Sequence, residues 1–143
     1  ERYFAEELET RDQLKLIGMR QIKRMNTASS NSAPLVREKT NHAYLHPEDA
    51  ARIGVANGDA VEVESAHGRI RIPVRVSDEM MPRTVAIPQC WGHARADGLS
   101  HAKTHPGVNS NRLAGDGLAN IEPLSGMSHL SGILIDVRRA PDV

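Results

Sequence analysis

Two stretches of this chain carry side chains suited to holding a large polar ligand. The first, within Met19 to Lys39, offers Arg20, Gln21, Lys23, Arg24, Asn26, Thr27, Ser29, Ser30 and Asn31. The second, within Gln89 to Met127, offers Trp91, His93, His101, Asn109, Asn111, Arg112 and Asp116. Most of these groups donate hydrogen bonds. Guanidinium forks pair with phosphates, and amides pair with the edges of heteroaromatic rings, so a ligand with phosphates and fused rings matches the set. The same Asn, Ser and Gly residues could equally satisfy the backbone of their own loops. Composition alone favours this second reading.

Other chemistries find less support. His101 and His105 have the i, i+4 spacing that can place two imidazoles on one helical face. Pro106 follows at once, Gly98 and Gly107 flank the pair, and no carboxylate nearer than Asp97 completes a site. Cys90 is the single cysteine, which excludes an internal disulfide and a cysteine-built iron–sulfur site within the chain. Serines, histidines and aspartates that could form a triad are present, but no nucleophile-elbow signature is. No Walker loop and no Gly-x-Gly-x-x-Gly turn between strand and helix occurs either.

With 143 residues the chain is long enough for one core and too short for two. No apolar run approaches the roughly 20 residues of a membrane helix, so membrane insertion is not expected. The formal net charge is +0, which argues against nucleic acid as a partner and requires any anion to be bound locally. Lys15, Lys23, Lys39 and Lys103 are the only lysines among 18 basic residues, and the arginine excess suits bidentate contacts to phosphate or carboxylate. The chain opens at Glu1 without an initiator Met or a signal segment, the pattern of a piece from inside a longer protein.

The elements that must position these loops are short. Residues 1–13 read as a charged, helical lead-in. Leu14 to Gly18 alternates like a strand, and Ala43 to Leu45 is a second. His46 to Gly54 has Pro and acids at a helix start and glycine past its end. Asn57-Gly58-Asp59 marks a tight turn, after which Val61, Val63 and then Ile70, Ile72, Val74 and Val76 alternate around Ala66-His67-Gly68 as a hairpin. Pro73 lacks an amide donor and points to an edge or bulge in the second arm. Val85 to Ile87 and Ile133 to Val137 complete the strands. Several short strands, one short helix and two long polar loops favour a small β barrel. Loops of such length inside a compact domain are candidate sites on that ground alone.

Several of these segments, in this order, resemble one family. Leu16-Ile17-Gly18-Met19-Arg20 with Asn26-Thr27, and the Pro47-Glu48-Asp49-Ala50 helix with Asn57-Gly58-Asp59, look like the molybdopterin dinucleotide-binding domain of the dimethyl sulfoxide reductase and formate dehydrogenase family. Trp91-Gly92-His93, His105-Pro106-Gly107-Val108-Asn109-Ser110-Asn111-Arg112-Leu113 and Asp136-Val137-Arg138 resemble its later motifs. The resemblance covers about Leu14 to Arg138, with residues 139–143 as a tail.

The resemblance implies a mainly β fold, a double-psi β barrel with one or two short helices and long polar loops. It implies a pair of molybdopterin guanine dinucleotides carrying molybdenum or tungsten, already held by upstream domains of the same polypeptide. The protein ligand to the metal lies upstream in that family, so this chain would cap the site without being catalytic on its own. Carried over by position, Arg20, Gln21, Arg24, Asn26 and Thr27 would approach one pterin, His93 would face the cofactor, and Asn109 and Asn111 would bond ring edges. Relatives often show Asn-Asn-Ser-Trp where this chain has Met25-Asn26-Thr27-Ala28, so the first loop lacks their aromatic wall.

Two other classes share the barrel pattern. A double-psi barrel that binds a peptide or partner, as in the amino-terminal domains of some large ATPases, would not need donor-rich loops. A small barrel enzyme such as a decarboxylase would need its own nucleophile. The isolated domain is expected to be a monomer without redox turnover.

Overall fold

The computed structural model describes residues 13–24 and 26–141. The lead-in expected over residues 1–13 falls almost wholly outside them. Six strands form a closed barrel: β1 (Leu14–Met19), β2 (Ala43–Leu45), β3 (Ala60–Ser65), β4 (Arg69–Val76), β5 (Thr84–Pro88) and β6 (Ile133–Arg139). Around the barrel they run β1-β5-β2-β4-β3-β6 and back to β1. The β1–β5 and β2–β4 pairs are parallel, and the remaining pairs are antiparallel.

Connectivity makes this barrel double-psi. The β1–β2 crossover hops over β5, while the β4–β5 crossover hops over β2. Each therefore straddles the strand into which the other runs, and the two interlock.

Alternation fills the interior. Leu14 and Leu16, Val61 and Val63, Ile70, Ile72 and Val74, and Ile135 point inward and are all but sealed from solvent. Each such side chain contributes about 1.5–3 kcal/mol through removal from water. Every residue of β5 is buried, because crossover segments cover its outer face as well. Pro73 does not lie on an edge, since a closed barrel has none. It occupies the last rung of the β3–β4 ladder, opposite Ala60, one residue before the β2–β4 ladder begins at Val74. Its missing amide hydrogen therefore costs neither ladder an interior bond.

Helix α1 (Pro47–Ile53) forms as its capping residues require. The His46 Nδ1 accepts from the Glu48 N–H, Pro47 opens the first turn, and Gly54 adopts φ 76° to close the last. Buried Asp49 then accepts from the Arg83 N–H at 2.6 Å, which ties the helix to the crossover before β5. None of the helices among the described residues is long and apolar enough to cross a membrane.

The register sorts the connections by end. Residues 20–42 leave the end of β1 and enter the start of β2, and residues 89–132 leave the end of β5 and enter the start of β6. Both long loops therefore lie at one mouth of the barrel, together with the β3–β4 turn at residues 66–68. Helix α1 and the 57–59 and 77–83 turns lie at the other.

Candidate functional site

The second loop is not structureless. It holds helix α2 (Ser100–Thr104), 3-10 turns at Ser110–Leu113 and Leu118–Asn120, and an isolated bridge between Ile121 and Ser128. Leu113 is fully buried in the barrel core, so one residue of this loop plugs the mouth. Ser65 Oγ donates to the Leu113 carbonyl at 2.8 Å, which seats the plug against the β3–β4 turn.

The two loops are joined into one layer. Gln21 Oε1 accepts from Trp91 Nε1 at 3.1 Å, and Arg24 lies 3.8 Å from the Trp91 ring centroid. An Arg24 Nη2 donates to Ser30 Oγ at 2.7 Å and to the Cys90 carbonyl at 3.3 Å. Its Nε and Nη1 are buried without a hydrogen-bond partner, and burial pushes the guanidinium pKa down. Asn31 Oδ1 accepts from the His101 and Ala102 amides at the start of α2, and His101 Nε2 bonds the Val36 carbonyl at 2.7 Å. That carbonyl requires the hydrogen on Nε2. The His101 and His105 rings stack at 4.1 Å. Among the described residues no group of three or more His, Cys, Asp and Glu side chains could hold a metal ion.

Two grooves open on this layer. One, of about 920 Å³, is lined by Arg69, Arg71, Arg95 and Arg112 with Gly92, Asn109 and a single acid, Glu62. Glu62 is already engaged by Arg69 at 2.6 Å and Arg138 at 2.9 Å. The groove therefore carries a surplus of guanidinium groups. The other, of about 470 Å³, is lined by Arg20, Gln21, Lys23, Arg24, Arg37 and Trp91 with one acid, Glu38, and by apolar groups that include Leu35 and Val36. Fixed cations beside an aromatic face and amide edges fit phosphates and fused rings.

The residues expected to bind do not all meet in one place. Arg20, Gln21 and Arg24 share the smaller groove, and Asn109 stands in the larger. Asn111 lines a crevice at the barrel mouth beside Leu16, Ile87 and Gln89. Asn26, held at φ 49°, and Thr27 are on an exposed turn and line neither groove. His93 is half-buried, with Nε2 on the Cys90 carbonyl at 3.0 Å and its amide on the Pro106 carbonyl at 3.0 Å. Asn109 also caps its own 3-10 turn, since its Oδ1 accepts from the Asn111 N–H at 3.0 Å. The aromatic face absent from the first loop is supplied by Trp91 of the second.

Glycines allow the close approaches. A Cβ on Gly107, at φ 56°, would come within 2.2 Å of the Trp91 ring, and one on Gly92 within 2.5 Å of the Asn109 Cβ. Sequence reasoning missed Asn41, Arg69, Arg71 and Arg95, and it named Asn31 as a loop donor without its role in holding α2. The arginines on β4 read as the polar side of an alternating strand, and only barrel closure brings that side beside the second loop.

The model of the Molydopterin dinucleotide binding domain matches residues 14–133. The chain belongs to that family. It is a molybdopterin dinucleotide-binding barrel, and the reading as a partner-binding barrel without cofactor gives way to it. Periplasmic nitrate reductase of Desulfovibrio desulfuricans is 36% identical over 87 residues, covering 59% of this chain and 12% of that protein. A sulfite dehydrogenase subunit of Allochromatium vinosum is 32% identical over 112 residues, covering 70% of the chain and 12% of the relative. The dinucleotide-binding domain thus spans about an eighth of the length of these relatives. Acetylene hydratase from Pelobacter acetylenicus superposes with a TM-score of 0.74 at 24% identity, over 98% of this chain and 20% of that one, which establishes the shared fold.

Proposed function

We propose that the loop-bearing mouth of this barrel caps a molybdopterin guanine dinucleotide carrying molybdenum or tungsten, within a larger oxidoreductase whose upstream domains supply the metal ligand. One observation carries the reading: two donor-rich loops, far apart in sequence, converge on one barrel mouth and enclose grooves with surplus guanidinium charge.

When bound, the pterin's dithiolene sulfurs hold the redox-active metal, and the protein's part is to bind, orient and tune. Arg20 and Gln21 present a guanidinium and an amide to one pterin, with Asn26 and Thr27 on the adjoining turn. Arg24, being buried, acts by holding Trp91 in place. Asn109 has a free Nδ2 for a ring edge or phosphate because only its Oδ1 serves the cap. Asn111 and His93 contribute from the mouth and from the Cys90 turn. Arg95 and Arg112 neutralise phosphate oxygens. The layer as a whole excludes water from the pterin face.

The test uses the full-length polypeptide. Acid hydrolysis of the purified protein should release guanine nucleotide in fixed ratio to bound metal, and Arg95→Gln combined with Arg112→Gln should lower both together. Release of a different nucleotide, or metal and nucleotide contents untouched by the double variant, would refute the assignment.

A further inference from the structure

Asn41 lines neither groove, yet its side chain is the most completely enclosed polar group at this end of the barrel, with 0% exposure. Its Nδ2 donates to the Pro88 and Val108 carbonyls, each at 3.0 Å, and its Oδ1 accepts from the Val108 N–H at 2.8 Å. Two carbonyls facing one atom and an N–H facing the other fix which way the amide points. Pro88 ends β5, Val108 directly precedes Asn109, and Asn41 itself stands two residues before β2. One side chain thus bonds three segments that are remote in sequence.

Neighbouring contacts extend the arrangement. The Gly107 N–H donates to the Lys39 carbonyl at 3.1 Å, and a Cβ on Gly107 would come within 3.0 Å of Asn41 Oδ1. Residues 107 and 108 are therefore seated on Asn41. Asn109 follows them into the larger groove, where Gly92 packs against its Cβ. The tethers through Asn31 and His101 fasten α2 instead and do not reach this segment.

We infer that Asn41 is a positioning residue for cofactor retention, setting where Asn109 and Gly92 stand relative to the first loop. The inference rests on the proposed function. Alanine at position 41 removes all three bonds, leaving the buried Pro88 carbonyl and the half-buried Val108 carbonyl and amide without this partner, so the Val108–Asn109 segment loses its anchor. Aspartate is the informative replacement. Ionised, it sets a carboxylate against two carbonyls; protonated, it can still donate to one of them.

The test compares full-length Asn41→Ala, Asn41→Asp and Asn109→Ala with a control, Val61→Ala, which cuts the core on β3 near the opposite mouth. Pterin content is read as the fluorescent oxidised pterin released by acid and iodine, beside the melting temperature of each apo-protein. Asn41→Ala should lose pterin roughly tenfold, the scale set by one buried hydrogen-bond partner. Val61→Ala should keep it even where its melting temperature is as low. Asn41→Asp should lose pterin at alkaline pH and recover part of it on acidification. Wild-type pterin in Asn41→Ala beside loss in Asn109→Ala overturns the inference and leaves the proposed function standing. Equal loss in Asn41→Ala and Val61→Ala also overturns it, and wild-type pterin in both Asn41→Ala and Asn109→Ala overturns it while confining Asn109 to its cap, the proposed function then resting on the Arg95, Arg112 double variant.

Discussion

The guanidinium of Arg24 lies 3.8 Å from the centroid of the Trp91 ring, with its Nε and Nη1 sealed from solvent and without partners. Stacking of this kind contributes about 0.5–2 kcal/mol, whereas each unpaired buried donor costs about 1–3 kcal/mol. The two effects oppose one another. Arg24→Met should keep Trp91 covered and remove the unpaired donors, but it also removes the bonds to Ser30 Oγ and the Cys90 carbonyl, so stability should change by less than about 1 kcal/mol. Arg24→Ala uncovers the indole and should lower stability by about 1 kcal/mol. Trp91 is the chain's single tryptophan, so urea unfolding and the Trp91 emission maximum check both outcomes. Emission should shift to the red in the alanine variant alone.

Gly107→Ala is expected to be among the costly single-atom additions. The new Cβ would fall within 2.2 Å of the Trp91 ring at a φ of 56°, which side chains rarely adopt. Overpacking of this kind costs about 1–3 kcal/mol. Gly98→Ala, also at positive φ but with nothing near its Cβ, separates backbone strain from collision. Thermal melts of the two should differ, with the position 107 variant lower.

Stability should fall as pH drops through the histidine range, in part because of His42. Its Nδ1 is buried without a hydrogen-bond partner, and Glu38 Oε2 stands 3.9 Å away. Burial first, and the Arg75 guanidinium second, hold the imidazole pKa below its ordinary value, with Glu38 opposing them. The folded chain then binds this proton less readily than the unfolded chain. The stability this residue supplies is complete above the ordinary pKa of about 6.5 and is lost as pH falls from there towards the lower folded value. His42→Gln should flatten that part of the profile in urea titrations; an unchanged slope would assign the loss elsewhere.

Asn109 offers a way to separate capping from ligand binding within one residue. Asn109→Asp keeps the oxygen that caps Asn111 but loses the Nδ2 donor and places a negative charge in the arginine-lined groove. The full-length variant should melt near the wild-type temperature yet retain several-fold less molybdenum or tungsten and nucleotide, an effect of about 1–3 kcal/mol. Asn109→Ala should lose both cap and cofactor. His93→Ala should reduce cofactor content with a smaller fall in melting temperature. Full cofactor content in the aspartate variant would confine Asn109 to its cap.

Much of the barrel was legible because its strands obey local rules. Val61, Val63, Ile70, Ile72 and Val74 alternate, and the α1 signals at His46, Pro47 and Gly54 are written next to one another. The second loop was harder, since α2 is only five residues long, opens without a side-chain cap and is held by Asn31 from the other loop. No window of sequence around residues 100–104 contains that partner. The same limit applies at the site. Asn109 and Arg112 announce themselves as loop polar residues, but Arg69 and Arg71 become their neighbours only through strand register, and Asn41 acquires its role from carbonyls at positions 88 and 108.

The interlocked crossovers carry a consequence for how the chain reaches its shape. Only the β3–β4 hairpin joins strands that are adjacent in sequence, and the seam of the barrel pairs Leu14 with Ile135. Nearly every pairing must wait until a long stretch of polypeptide has found its place, so the entropic cost of closing the chain falls before most of the contacts that reward it. Folding should therefore run in the millisecond-to-second range of sandwiches and barrels rather than the microseconds of helical bundles. Pairing of β6 with β1 brings together the first and last strands of the barrel, the longest closure in the chain, so acquisition of the seam should be a late event on the folding path.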